Sequence, residues 1–147
     1  METSLGNDVG TLPLDPTRFE QVVRNLLSNA IEASPIDEKI RIQTGVSIPG
    51  QKALGLGALE SENYFEMKMS NRGPGISPED LQKIFSPFHT TKDYGYGMGL
   101  TVCKKVVEDH KGSISVKSDA TETVFTVWFP MKQQEPSTRH LISEAQT

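Results

Sequence analysis

The 147-residue chain has one cysteine, one tryptophan and no excess of basic charge. Each scarcity excludes something. A lone thiol, Cys103, closes no internal disulfide, so a buried core must hold the fold together. Fifteen Lys and Arg against nineteen Asp and Glu give a net charge of −4 and a pI near 5.4. With the bases interleaved among the acids, the chain has no electrostatic footprint for nucleic acid or an anionic membrane. Any phosphate site has to be local. No apolar run approaches the length that crosses a bilayer, and none follows a basic start as a secretion signal would, so the chain reads as cytosolic, without membrane contact from this segment. At 35% hydrophobic residues this length suits one globular domain.

What is present is a strong helical period in "LPLDPTRFEQVVRNLLSNAIEASP". Phe19, Val22, Val23, Leu26, Leu27, Ala30 and Ile31 fall on one face, with Asp15 as N-cap, Pro16 at the first helical position and Pro35 past the end. "EKIRIQTGVSI" and "YFEMKMS" alternate as strands with one buried face each. The glycine-rich stretch between them reads as a hairpin connection. "SPEDLQKIF" reads as a short capped helix, "MGLTVCKKVVEDHKG" as a second long one ending at Gly112, and "SISVKS" and "TVFTVWFP" as two more strands. The boundaries are a polar segment over 1–10, a domain over 11–131 and a polar tail over 132–147. Helix, two strands, short helix, glycine loop, helix, two strands predicts an α+β two-layer sandwich, a mixed and mostly antiparallel sheet with about three helices on one face.

Three polar features break these periods. Asn25 and Asn29 share one margin of the first helix. An asparagine pair is ordinarily just solvated, yet Asn suits a helix interior poorly, and two amide oxygens one turn apart suit a hard cation such as Mg²⁺. "GYGMGL" (95–100) opens the last helix, where backbone amides and the helix dipole favour phosphate. It lacks the Gly-Lys-Ser/Thr of a Walker loop and the spacing of a dinucleotide fingerprint; by itself it reads as a flexible loop. "MSNRGPGIS" (69–77) places two glycines and a proline directly after a strand.

Taken in order, Asn-x-x-x-Asn, "NRGPGI", "FSPFHTTK" and "GYGMGL" resemble the N, G1, F and G2 boxes of the ATP-binding catalytic domain of bacterial sensor histidine kinases, of the wider family that includes gyrase B. The resemblance runs from about Leu14 to Pro130. It implies the Bergerat ATP-binding fold, ATP and Mg²⁺ as cofactors, and transfer of the γ-phosphoryl group to a histidine on a separate dimerisation and phosphoacceptor domain, with a response regulator engaged indirectly. It further implies a cytoplasmic domain of a two-component sensor, a setting that includes the cytoplasmic part of a larger membrane-bound sensor. Residue by residue, Asn29 would ligate Mg²⁺ and Asn25 would help to hold ion and phosphates, with Lys92 neutralising phosphate charge. Gly73 and Gly75 would let backbone approach the adenine, with Asn71 on its amino group and Ile76 as an apolar wall. Phe88, Thr90 and Thr91 fall in the F box and lid, and Gly95, Tyr96, Gly97, Met98, Gly99 and Leu100 in the second glycine box.

Two departures qualify the pattern. Relatives that hydrolyse ATP carry a glutamate where Asn25 stands, so transfer to an imidazole is favoured over attack by water. The family usually has aspartate where this chain has Asn71, which weakens the bond to adenine or relaxes the choice of base. His89, His110 and His140 do not lie on a dimerising helical hairpin, so the acceptor histidine is expected on another segment or another chain. Two alternatives stay open at this point: a nucleotide-binding interaction module without catalysis, and a stand-alone regulatory kinase of the anti-sigma type.

Overall fold

The computed structural model describes residues 2–4, 12–47, 63–86 and 99–131. In chain order its elements are β1 (Glu2–Ser4), α1 (Pro16–Ala33), β2 (Ile40–Ser47), β3 (Tyr64–Arg72), α2 (Pro78–Leu81), α3 (Gly99–Asp109), β4 (Ser113–Ser118) and β5 (Glu122–Pro130). The sheet order is β1-β2-β3-β5-β4. β1 runs parallel to β2, and every other pairing is antiparallel. The mixed, mostly antiparallel α+β sandwich expected from the sequence is therefore present. The polar start contributes one strand that no hydrophobic period announced, paired with β2 from Glu2↔Arg41 to Ser4↔Gln43.

α1 starts where its chemistry says it should. Asp15 accepts from the Thr17 and Arg18 amides at 3.0 and 3.4 Å, and Pro16 fills the first helical position. Val22, Leu26 and Ala30 face a core completed by Cys103, Val106 and Val107 of α3 and by the in-phase residues of β3 and β5. Phe19 meets Phe65 and Phe129 edge-on, with ring centres 6.1 and 5.8 Å apart. Ile31, expected on the buried stripe, is 57% exposed, while Ala30 beside it is buried. α2 is a single turn capped by Ser77 Oγ, which accepts from the Asp80 amide at 3.1 Å; the chain then continues as turns rather than as the longer helix "SPEDLQKIF" suggested.

α1 and α3 are joined end to end in opposite senses. Arg18 pairs with Asp109 at 2.6 Å. The Asp15 amide donates to His110 Nε2 at 3.2 Å, so the ring proton lies on Nδ1, which faces the Val106 carbonyl at 2.7 Å. Past the C-terminus of α3 the left-handed residue is Lys111, φ 62°, and not Gly112. The Lys111 amide donates to Glu108 O and the Gly112 amide to Val107 O, a Schellman ending with Lys at C′. Gly112 is small for a different reason: a Cβ there would run into the Trp128 carbonyl. Trp128 and Tyr64 form a separate buried pair on the opposite sheet face, where Trp128 Nε1 donates to Glu66 Oε1 at 3.0 Å.

Candidate functional site

α1 is the spine of the site. Asn25 and Asn29 are half-buried, one turn apart on the margin of the helix. Asn25 Nδ2 donates to the carbonyl of Gly99, the first residue of α3, at 3.2 Å. A Cβ on Gly99 would stand 3.8 Å from the Asn25 amide carbon, so the start of α3 packs against this side chain. Beneath it lies Cys103, whose thiol is pushed up to about 12 by burial, with the Asn25 side chain pulling it the other way. At the far end of α1, the Ala33 carbonyl occupies the space that a Cβ on Gly73 would need. Asn29 thus lies about 6 Å along the helix from each of two contacts: Asn25 with Gly99 on one side, Ala33 with Gly73 on the other.

The turn after β3 is held from both sides. The Gly73 amide donates to Thr121 O at 3.1 Å, and the Ile76 amide donates to Ser118 Oγ at 2.8 Å. A Cβ on Gly75 would collide with the Asp119 carbonyl. The room left by both glycines is therefore filled by the protein's own backbone, which fixes the turn against α1 and against the β4–β5 hairpin. That hairpin is itself rigid: Asp119 Oδ1 accepts from the Thr121 and Glu122 amides at 2.8 and 2.9 Å, and these bonds hold its carboxyl below the usual carboxylate range.

Asn71 is 5% exposed and stands in phase with Phe65, Met67 and Met69 on the helix side of β3. It pairs across the sheet with Thr123, which pairs with Ser118, and the two hydroxyl oxygens are 2.7 Å apart. Ser118 and Thr123 were not among the residues singled out from sequence. Their signal was available: each is a polar residue in the apolar phase of its strand, as Asn71 is.

The structure brings Asn25, Asn29, Gly99 and Leu100 together on the α1–α3 seam, and Asn71, Gly73, Gly75 and Ile76 at the adjoining end of the sheet. Phe88, Thr90, Thr91, Lys92, Gly95, Tyr96, Gly97 and Met98 lie outside the described residues. Phe85 of the same phenylalanine-rich box packs against the core. Its carbonyl accepts from Thr101 Oγ1 at 2.9 Å, which ties the first turn of α3 to this segment. A cavity of about 360 Å³ opens beside Asn71, which lines it together with Asp37, Glu38, Lys39, Arg41, Ser70, Arg72 and Glu122. Arg41, Ser70 and Arg72 are out of phase with Asn71, and the three acids and three bases of the lining offer no net charge to a triphosphate. Among the described residues no three His, Cys, Asp or Glu side chains cluster as a metal site. No described helix is long and apolar enough to cross a membrane.

Residues 14–133 match the family model of histidine kinase-, DNA gyrase B- and HSP90-like ATPases. The chain is 30% identical over 141 residues to sporulation kinase E of Bacillus subtilis, covering 95% of this chain and 17% of that protein. It is 37% identical over 125 residues to the sensor histidine kinase ZraS of Salmonella typhimurium, covering 82% of this chain and 24% of that protein. Among solved structures, the catalytic domain of histidine kinase ThkA superposes with a TM-score of 0.68 at 33% identity, over 88% of this chain and 78% of that one. The chain thus spans about a fifth of the length of the curated relatives it matches. Sequence, topology and the order of the four boxes agree that the chain belongs to the histidine kinase-, DNA gyrase B- and HSP90-like ATPase family, as an ATP-binding catalytic domain of the sensor histidine kinase type.

Proposed function

We propose that this domain binds Mg-ATP along α1 and holds the γ-phosphoryl group for transfer to a histidine on a separate dimerisation and phosphoacceptor domain, in the same longer chain or in another, in cytoplasmic two-component signalling. The observation that carries the proposal is the place of Asn29, one helical turn from the contact with the start of α3 and one turn from the contact with the Gly73 turn. A nucleotide laid along that line has its base at Asn71 and its phosphates at the N-terminus of α3, where amides and the helix dipole favour anions.

The Asn29 and Asn25 amide oxygens fit a hard cation. When bound, Mg²⁺ supplies neutralisation of the charge on the phosphate oxygens. Asn29 is the side chain that would ligate it. Asn25 gives an N–H to Gly99, which leaves its oxygen for the ion and fixes the helix start relative to α1. Neither amide can take a proton from water at neutral pH. An acceptor imidazole needs no such help, because it brings its own nucleophilic nitrogen, so positioning dominates. Lys92, Phe88, Thr90 and Thr91 complete this reading as the phosphate-side segment, and a response regulator takes part only after the transfer.

Calorimetric titration with ATP, with and without Mg²⁺, tests the binding. Saturable binding that Mg²⁺ strengthens is expected, and none in either condition would overturn the proposal. Supplying a histidine-bearing dimerisation domain with γ-labelled ATP separates the reactions: label on the acceptor supports transfer, and label released only as free phosphate contradicts it.

A further inference from the structure

At the end of the sheet assigned above to the base, β3, β5 and β4 each close their helix-side phase with a small uncharged polar residue: Asn71, Thr123 and Ser118. Asn71 and Thr123 are 5% and 6% exposed, and directly paired residues stand side by side on one face. The charged neighbours Arg72 and Glu122 pair with each other one residue further along, on the other face. The row itself therefore carries no charged side chain.

It also holds no fixed polarity. Ser118 Oγ accepts the Ile76 N–H, and Ser118 and Thr123 share one hydrogen between their hydroxyls. Rotating the two hydroxyls reverses which one donates, so Thr123 Oγ1 can present a hydrogen or a lone pair. Asn71 Nδ2 reaches the Arg72 carbonyl at 3.5 Å, the limit of a hydrogen bond, and that contact does little to hold the amide in one orientation. A half-turn of the amide exchanges its acceptor for its donor.

We infer that this site accepts both purine nucleoside triphosphates, ATP and GTP, with little preference, because the Asn71–Thr123–Ser118 row can reverse its hydrogen-bond polarity. Adenine offers a donor amino group beside an acceptor ring nitrogen. Guanine offers an acceptor carbonyl beside a donor ring N–H. Asn71 Oδ1 with a donating Thr123 meets the first edge; Asn71 Nδ2 with an accepting Thr123 meets the second. A carboxylate at residue 71 accepts only, and would face the guanine carbonyl with a buried acceptor opposed to it.

The inference rests on the nucleotide reading above, and the test keeps the two apart. Titrations with the non-hydrolysable analogues of ATP and GTP are run on the wild-type chain, Asn71→Asp, Thr123→Val and Thr123→Ser, with thermal unfolding of each to confirm the fold. GTP is expected within about tenfold of ATP on the wild type, a gap that Asn71→Asp widens by about tenfold to a hundredfold. Thr123→Val is expected to weaken both analogues alike, and Thr123→Ser, which keeps the hydroxyl, to hold both. Binding of ATP with GTP more than a hundredfold weaker, and unchanged by Asn71→Asp, would overturn the inference and leave the ATP site standing. Binding of neither analogue would overturn the nucleotide reading itself. Thr123→Val that lowers stability while keeping both affinities would show the hydroxyl to be structural and would also refute the inference.

Discussion

Gly75→Ala isolates the packing role of the turn after β3. Built on the present backbone, the new methyl group collides with the Asp119 carbonyl and lies 2.9 Å from Ser118 Oγ. The carbonyl oxygen cannot swing aside, because the β4–β5 hairpin that carries it is fixed by three bonds to Asp119 Oδ1. The turn must lift instead. Overpacking of this kind costs about 1–3 kcal/mol, and separating the Ile76 amide from Ser118 Oγ adds about 1 kcal/mol. With a urea slope of about 2 kcal/mol/M, a loss of about 2–4 kcal/mol moves the unfolding midpoint down by about 1–2 M. Gly45→Ala is the matched control: it lies inside β2 and a Cβ there meets nothing within 4 Å, so it is expected to be neutral or to stabilise by up to about 1 kcal/mol. Nucleotide affinity should fall in Gly75→Ala and hold in Gly45→Ala. Equal urea midpoints for the two variants would refute the reasoning, since a ligand-facing glycine without a packing role would leave stability untouched.

Lys111→Gly removes the Cβ from a left-handed residue and is expected to raise stability by about 1 kcal/mol in urea unfolding. Asp109 and Asp119 have carboxyls held low, the first by Arg18 and the second by the Thr121 and Glu122 amides. A depressed native pKa contributes stability that is complete above the unfolded value, about 3.9, and is lost as pH falls through the native one. The urea midpoint should therefore drop on going from pH 5 to pH 3, less steeply in Asp119→Asn. The Cys103 thiol, pushed to about 12 by burial, is expected to resist iodoacetamide at pH 8 in the native protein and to react on unfolding; rapid native labelling, read by mass spectrometry, would contradict its placement under Asn25.

Much of this fold was written in period and punctuation. The Asp15-Pro16 start of α1 and the two-residue alternation of β3 and β5 each have a local cause, so a local reading reached them. Features set by tertiary contact were out of reach. β1 adds to the sheet edge without an apolar pattern, and Ile31 lies on the apolar stripe of α1 yet is exposed. Gly112 was legible as a helix stop, yet the left-handed turn is made by Lys111 and Gly112 answers to the Trp128 carbonyl. In the site, Asn25 and Asn29 stood out because they border the apolar face of α1, and Asn71, which interrupts the apolar phase of β3, because it opens the first glycine box. Ser118 and Thr123 interrupt theirs in the same way. They passed unnoticed because each marks a strand end, where polar residues are ordinary; only the cross-strand register puts them beside Asn71.

The central claim is that Asn29, midway along the α1 spine, couples the domain to Mg²⁺ and through it to the nucleotide. The direct measurement is the ATP affinity of wild type and Asn29→Ala by calorimetry, each with and without Mg²⁺, with urea unfolding alongside. Asn29 is half-buried and off the core stripe, so stability should change by less than about 1 kcal/mol. The account predicts that Mg²⁺ tightens ATP on the wild type and has little effect on the variant; an equal gain from Mg²⁺ in a fully folded Asn29→Ala would contradict it.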